Sequence, residues 1–329
     1  MQKLCLALVA LLVCHAAEAA PALRPVTTFD VPGPLGERFD YLRVDDAGRR
    51  LFVTHLGANQ TYVVSLTNLT VATIRGTPGV EDVAYVAELN RLYTSNWGEN
   101  KIGVIDLSTL QVIERLPTAS KPDGIEYAPE FHKVYVSNER ANIESVIDVR
   151  TNKIVKTIEF GSETGMPRYD AVAGKVYVNL QDMKRVAVID AATDAVEAEI
   201  ALPGCRTNHG MALDAQGRRA FIACEGNAVL VVLDLQKRQV IAQFETGRGS
   251  DFVEYDAGLR RIYVPCSDGT MTIVQQDDAD HYRRLETMPI SRGVHTVAVD
   301  PTTHRVYVAE QQVDGRPAAR ISVYEPVTP

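Results

Sequence analysis

Lys133-Val-Tyr-Val-Ser-Asn138 is the stretch that decides the fold: a basic residue opens a short apolar strand whose third residue is aromatic. Six further copies occur, Arg50-Leu-Phe-Val, Arg91-Leu-Tyr-Thr, Lys175-Val-Tyr-Val, Arg219-Ala-Phe-Ile, Arg261-Ile-Tyr-Val and Arg305-Val-Tyr-Val. The basic residues are 41, 42, 42, 44, 42 and 44 positions apart. A near-constant period of this length marks a repeat architecture in which each unit is one supersecondary element.

Outward from each copy the texture is short strands and turns, with no helical stretch. An alternating strand precedes the basic anchor, as in Val83-Ala-Tyr-Val and Val297-Ala-Val-Asp. A third strand follows in Val104-Ile-Asp, Val146-Ile-Asp, Val188-Ile-Asp and Val232-Leu-Asp, and a fourth in Gln111-Val-Ile-Glu-Arg-Leu and Lys153-Ile-Val-Lys-Thr-Ile. Alternation bounded by turns reads as antiparallel strands. Four strands repeated seven times predict an all-β, seven-bladed β-propeller. The seventh copy ends at Ser322-Val-Tyr without a fourth strand, so the N-terminal strand Val26 to Val31 is expected to complete that blade and remove its open edge.

The repeats resemble the YVTN-type β-propeller family. Tyr93-Thr-Ser-Asn96, Tyr135-Val-Ser-Asn138, the Val-Ile-Asp strands and Lys121-Pro-Asp-Gly-Ile carry the resemblance, which covers essentially the whole chain after residue 19. It implies the same propeller fold and a periplasmic location; some members of that family bind single-stranded DNA.

The 329 residues are 46% hydrophobic, which excludes a disordered chain, and carry 34 basic against 42 acidic side chains for a net charge of -8. That balance argues against nucleic acid as the main partner, because phosphate binding needs a basic face. Residues 1–19 read as a secretory signal: Lys3, an apolar run from Leu4 to Val13, and Ala17-Glu18-Ala19 as a cleavage site. The run is shorter than the roughly 20 residues that span a bilayer, and no later segment qualifies. A periplasmic or secreted single propeller over 20–329 is therefore expected. Cys205, Cys224 and Cys266 remain, an odd number. Cys224 and Cys266 hold like positions in adjacent blades, too far apart to bond, so a bridge from Cys205 to Cys224 with Cys266 free is expected.

Aligned on their anchors, the seven copies place two rings of side chains on one face of the propeller. Ten positions before the anchor stand Asp40, Glu81, Asp123, Gly165, His209, Asp251 and His295. At the end of the second strand stand His55, Asn96, Asn138, Leu180, Cys224, Cys266 and Glu310. His209, Asp251, His295 and His55 form the candidate metal set, since nitrogen with carboxylate suits zinc, iron, manganese or copper. Glu81 and Asp123 are candidate bases, Arg168 a substrate contact beside the gap that Gly165 and Leu180 leave in blade four. Asp40, Trp97, Arg248 and Arg292 are candidate ligand contacts, the arginines rimming the acidic centre together with Arg38, Lys121 and Arg206. Strand-end caps and plain ion pairs account for such residues equally well.

The chain contains no Gly-x-Ser-x-Gly elbow, phosphate loop or His-Glu-x-x-His. One Trp excludes the repeated tryptophan docking of quinone-dependent propellers, and no quinone, nucleotide or flavin is expected. Two readings stand: a binding or scaffold protein that holds a small ligand, a metal or a protein partner on the ringed face, and a metal-dependent hydrolase or lyase similar to propeller lactonases.

Overall fold

The computed structural model describes residues 21–327. The expected signal segment, residues 1–19, lies outside them. Seven four-stranded antiparallel sheets surround a central channel, and the described residues contain no α-helix. Blade one is typical, with strands Leu42–Asp45, Arg50–His55, Gln60–Ser65 and Val71–Arg75 running from the channel outward.

Blade seven is assembled from both ends of the chain. Ala298–Val299, Val306–Val313 and Arg316–Pro326 are joined by Leu23–Asp30, which pairs antiparallel with Arg316–Pro326 from Leu23↔Pro326 to Asp30↔Arg320. The closing strand thus starts three residues earlier than its apolar run suggested. Pro25 sits at a register shift of this outermost strand, where a missing N–H is tolerated.

The repeat works through its aromatic residue. Phe52, Tyr93, Tyr135, Tyr177, Phe221, Tyr263 and Tyr307 are all buried. Several hydroxyls reach the next blade: Tyr135 donates to Asp194 at 2.7 Å and Tyr93 to Asn152 at 2.5 Å. The core lies between blades, as where Tyr135 and Val146 pack against Val176, Val178 and Ile189. The residue before each anchor has a left-handed backbone, from Asn90 at φ 48° to Gly174 at φ 63°. Those turns aim side chains at the preceding blade: Arg49 at Asp300, Arg218 at Asp170, and His304 at Asp256 (2.9 Å). His304 is therefore an interblade contact.

The inner strands are irregular where they begin. In blades two to five the register shifts between Val80/Val83, Pro122/Ile125, Thr164/Pro167 and Asn208/Met211. Bulges of this kind re-aim side chains. At each step the inner-ring residue is followed by a buried one, Asp82, Gly124, Met166 or Gly210. Tyr41, Met166 and Phe252 plug the middle, with the rings of Tyr41 and Phe252 5.3 Å apart. Gly210 permits this closure, because a Cβ there would stand 2.6 Å from the Phe252 backbone.

Candidate functional site

Above the plug lies a cavity of about 440 Å3, and six of the seven inner-ring residues line it: Asp40, Glu81, Asp123, His209, Asp251 and His295. The seventh, Gly165, is covered. A Cβ on it would meet the His209 carbonyl at 3.1 Å, and Asn179 donates to that carbonyl at 2.6 Å. Blade four therefore has no entrance at this point.

The second ring is displaced by one residue. His55, Asn96, Asn138, Leu180 and Cys224 are fully buried between strands, while Trp97, Glu139, Gln181, Glu225, Ser267 and Gln311, each one position later, line the cavity. A strand side chain alternates faces, so a slip of one exchanges wall for core. His55 stacks on Phe39 with ring centroids 3.9 Å apart and touches Tyr62 at 3.0 Å and the Glu37 carbonyl at 3.2 Å. Burial pushes its pKa down to about 4, which keeps it neutral. It is no part of a central metal set.

Two charged groups of residues divide the cavity. In the first, His209 Nε2 lies 3.6 Å from Asp123 and 3.8 Å from Glu139, while its Nδ1 lies 3.0 Å from Asp251. Ligand atoms of Asp123, Glu139 and His209 all fall within 4.8 Å of one another. Glu139 is itself held, by Gln181 at 3.0 Å and by Lys121. Burial opposes a charge on His209, but Asp251 and Asp123 outweigh it and raise its pKa well above the ordinary value. The same imidazole helps keep Asp251 ionised against burial.

In the second group His295 lies 3.8 Å from Asp40, and Arg38 stands 3.2 Å from both. His295 Nδ1 lies 2.8 Å from the Gly293 carbonyl. Burial resists ionisation of Asp40, yet His295 and Arg38 hold its pKa low. Beside it Glu81 is pushed up to about 12, first by burial and then by the charges of Asp40 and Asp123. Two carboxyl groups in contact with pKa values driven apart are an ionised and a protonated acid side by side. His209 and His295 thus face different carboxylates; they do not converge on one point as the sequence suggested.

The remaining candidates separate. Trp97 lies at the rim with Lys121 5.6 Å and Arg140 5.4 Å from its ring. Arg248 and Arg292 are exposed and off the cavity wall; Arg292 lines a groove of blade seven beside Glu310. Both stand in loops ahead of the inner strands Glu254–Asp256 and Ala298–Val299, and the arginine and lysine that line the cavity are Arg38 and Lys121. Arg168 points below the plug, with Phe252 5.7 Å away, and does not reach this cavity. Its strand position, three residues past the inner ring, puts it in another layer. Cys205 is bonded to Cys224 and Cys266 is buried and free.

Sequence reasoning missed Glu139, Gln181 and Glu225. Their signal was present in the polar residue that follows the second-strand position in five of the seven blades.

Comparison with known proteins supports the fold more than the chemistry. A chain of the mitotic checkpoint complex superposes with a TM-score of 0.77 at 12% identity, covering 100% of this chain and 99% of that one. The β-propeller domain of Myceliophteria thermophila Cps50 (Swd1) gives 0.73 at 13% identity, covering 93% and 100%. At such identities the likeness shows the fold alone. No curated protein matches the chain. A family model described as YNCE-like beta-propeller matches residues 44–174. Over these residues the chain is similar to the YNCE-like β-propeller family, the YVTN-type group its repeats resemble, and seven blades of the expected construction surround them.

Proposed function

We propose that the protein is an exported binding propeller that holds a small ligand in its upper cavity through one transition-metal ion at Asp123, Glu139 and His209. The observation that carries this reading is the spacing of the three donors. Donors about 2.1 Å from a shared tetrahedral ion stand about 3.4 Å apart, close to the 3.6 and 3.8 Å between His209 Nε2 and the two carboxylates. Asp251 on Nδ1 supports it further, because a carboxylate behind a ligating histidine fixes the ring and leaves Nε2 for the ion. One imidazole with two carboxylates suits zinc, iron or manganese, and copper less well. The free side of the triad opens into the cavity, where a ligand carrying oxygen donors completes the coordination. The export signal and the Cys205–Cys224 bridge suit an oxidising compartment.

A second reading, a metal-dependent hydrolase or lyase, draws on the Asp40 and Glu81 pair. The protonated Glu81 is a ready proton donor and ionised Asp40 a base, with Arg38 placed for a substrate carboxylate. Glu81→Gln would abolish turnover by an enzyme and leave ligand binding by a plain binding protein intact.

Elemental analysis of the purified protein beside His209→Ala tests the proposal. About one equivalent of a transition metal, lost in the variant, supports it; no metal after reconstitution removes both metal-dependent readings.

A further inference from the structure

The wall of the upper cavity is built in two ways. In blades two to five the inner strands Val80–Val86, Pro122–Ala128, Thr164–Asp170 and Asn208–Asp214 each begin one residue ahead of the inner-ring residue. In blades six and seven only Glu254–Asp256 and Ala298–Val299 are strand, so Asp251 and His295 stand three residues ahead of the ladder. Blade one shows which bonds those two blades lack. There the Asp40 N–H donates to the Thr54 carbonyl at 3.0 Å, and the Thr54 N–H to the Tyr41 carbonyl at 3.1 Å. The corresponding residues are Asp251, Pro265 and Phe252 in blade six and His295, Ala309 and Thr296 in blade seven. No backbone hydrogen bond joins Asp251 or Phe252 to Pro265, or His295 or Thr296 to Ala309.

The sequence supplies the cause. Pro265 has no N–H to give. Side chains at the Thr54 position also tie one blade to the next: Thr54 and Ser137 donate to the carbonyls of Glu81 and Gly165, and Asn179 to that of His209 at 2.6 Å. In blades five to seven the same position holds Ala223, Pro265 and Ala309, whose side chains have no donor. The blades that follow them, six, seven and one, are the three with short inner strands. Phe252, Val253, Thr296 and Val297 are at most 3% exposed, yet their backbone groups make no hydrogen bond among the described residues. Buried backbone groups are paired in the great majority of cases. What holds the two segments is side chains of the cavity: Asp251 on His209 at 3.0 Å, His295 on Arg38 at 3.2 Å, and the Thr296 hydroxyl on the Asp40 carbonyl at 2.5 Å. Just ahead of them Gly249 at φ 69° and Gly293 at φ 84° take a left-handed backbone, which glycine adopts without steric cost.

We propose that residues 250–253 and 294–297 are the movable wall of the upper cavity, the side on which it opens to a ligand, and that occupancy of the site closes it. Segments with few backbone hydrogen bonds are the ones that open locally, while the bonded ladders beside them stay shut. The link to occupancy is the contact of His209 with Asp251. With an ion on Nε2 the ring donates from Nδ1, and Asp251 must stay in place to accept. Closure therefore rests on the metal site proposed above; the looseness of the wall does not.

Hydrogen–deuterium exchange of single amides in the metal-free protein tests the wall. The Asp251 and His295 amides should exchange at least about tenfold faster than those of Asp40 and Thr54, which are bonded. Pro265→Thr restores the N–H and hydroxyl that blade one has in Thr54. It should slow exchange at Asp251 by about tenfold, and zinc uptake in stopped flow by a similar factor, without touching the triad. One equivalent of zinc should slow Asp251 exchange in the wild type by about threefold or more. Asp251 and His295 exchanging as slowly as Asp40 and Thr54, or zinc bound at one equivalent with Asp251 exchange unchanged, would overturn the proposal. Fast exchange in a protein that takes up no zinc would keep the movable wall and remove the metal site. Where Pro265→Thr fails to fold, the wild-type comparison decides alone.

Discussion

His209 and Asp251, contributed by adjacent blades, stand with Nδ1 and the carboxylate 3.0 Å apart, and that contact turns the other imidazole nitrogen toward Asp123 and Glu139. Asp251 is thus a positioning residue. Asp251→Asn should lower metal affinity by roughly 10–100-fold while thermal unfolding and the propeller's circular dichroism stay close to wild type. Titration calorimetry with zinc and manganese on both proteins measures it. Equal affinity in the two would assign Asp251 to charge balance alone.

The proton and the metal compete for the same nitrogen. The neighbouring carboxylates raise the His209 pKa well above its ordinary value, so at neutral pH the ring is protonated and must lose that proton to ligate. Metal affinity should therefore rise with pH by about tenfold per unit, with about one proton released per ion. Titrations in buffers of different ionisation enthalpy count the proton.

Glu144 offers a stability test away from the site. It is fully buried in the third strand of blade three, where blades two, four and five carry Ile102, Val186 and Leu230, and its contact is Ser137 at 2.8 Å. Burial raises its pKa well above the ordinary 4.5. A group whose folded pKa is raised adds stability below its unfolded pKa and loses it as pH rises. Above about pH 4.5 the wild type should lose about 1.4 kcal/mol per pH unit relative to Glu144→Gln, until the folded pKa is reached. Denaturation of both proteins at about pH 4.5 and about pH 6.5 reads this difference directly; parallel profiles would refute it.

Ring closure rests on chemistry as well as on the exchanged strand. Arg49 of blade one donates to Asp300 of blade seven at 2.8 and 2.5 Å, and Asp300 is buried. Burial works against its charge, but Arg49, Thr303 and Thr302 hold the pKa down at about 2. Because that pKa is depressed, the stabilisation is present above the unfolded aspartate pKa of about 3.8 and fades as pH falls toward about 2. Asp300→Ala should cost about 2–4 kcal/mol at neutral pH, measured by urea unfolding.

The fold was legible because the period, the anchor and the aromatic all repeat, and because a missing fourth strand at one end had a candidate at the other. The inner ring was legible for the same reason: six of its seven positions line the cavity. The second ring failed by one residue. The polar strand ends His55, Asn96 and Asn138 looked like wall residues, whereas they bond inward and the next residue turns to the channel. Glu139 entered the site through that step, one position past the strand end. Arg168 was assigned to the upper cavity because it is near Gly165 in sequence, but each inner strand descends past the plug within a few residues. Which imidazole faces which carboxylate depends on side-chain directions at the bulges, and the repeat pattern carries no information about those.

The account turns on the triad. Titration of chelator-stripped protein with zinc, manganese, iron(II) and copper, beside Glu139→Gln and His295→Ala, tests it most directly. The account predicts one equivalent of at least one metal bound, affinity lowered about tenfold or more by Glu139→Gln, and affinity close to wild type in His295→Ala. No saturable binding of any of the four metals, or binding lost in His295→Ala and kept in Glu139→Gln, would contradict it.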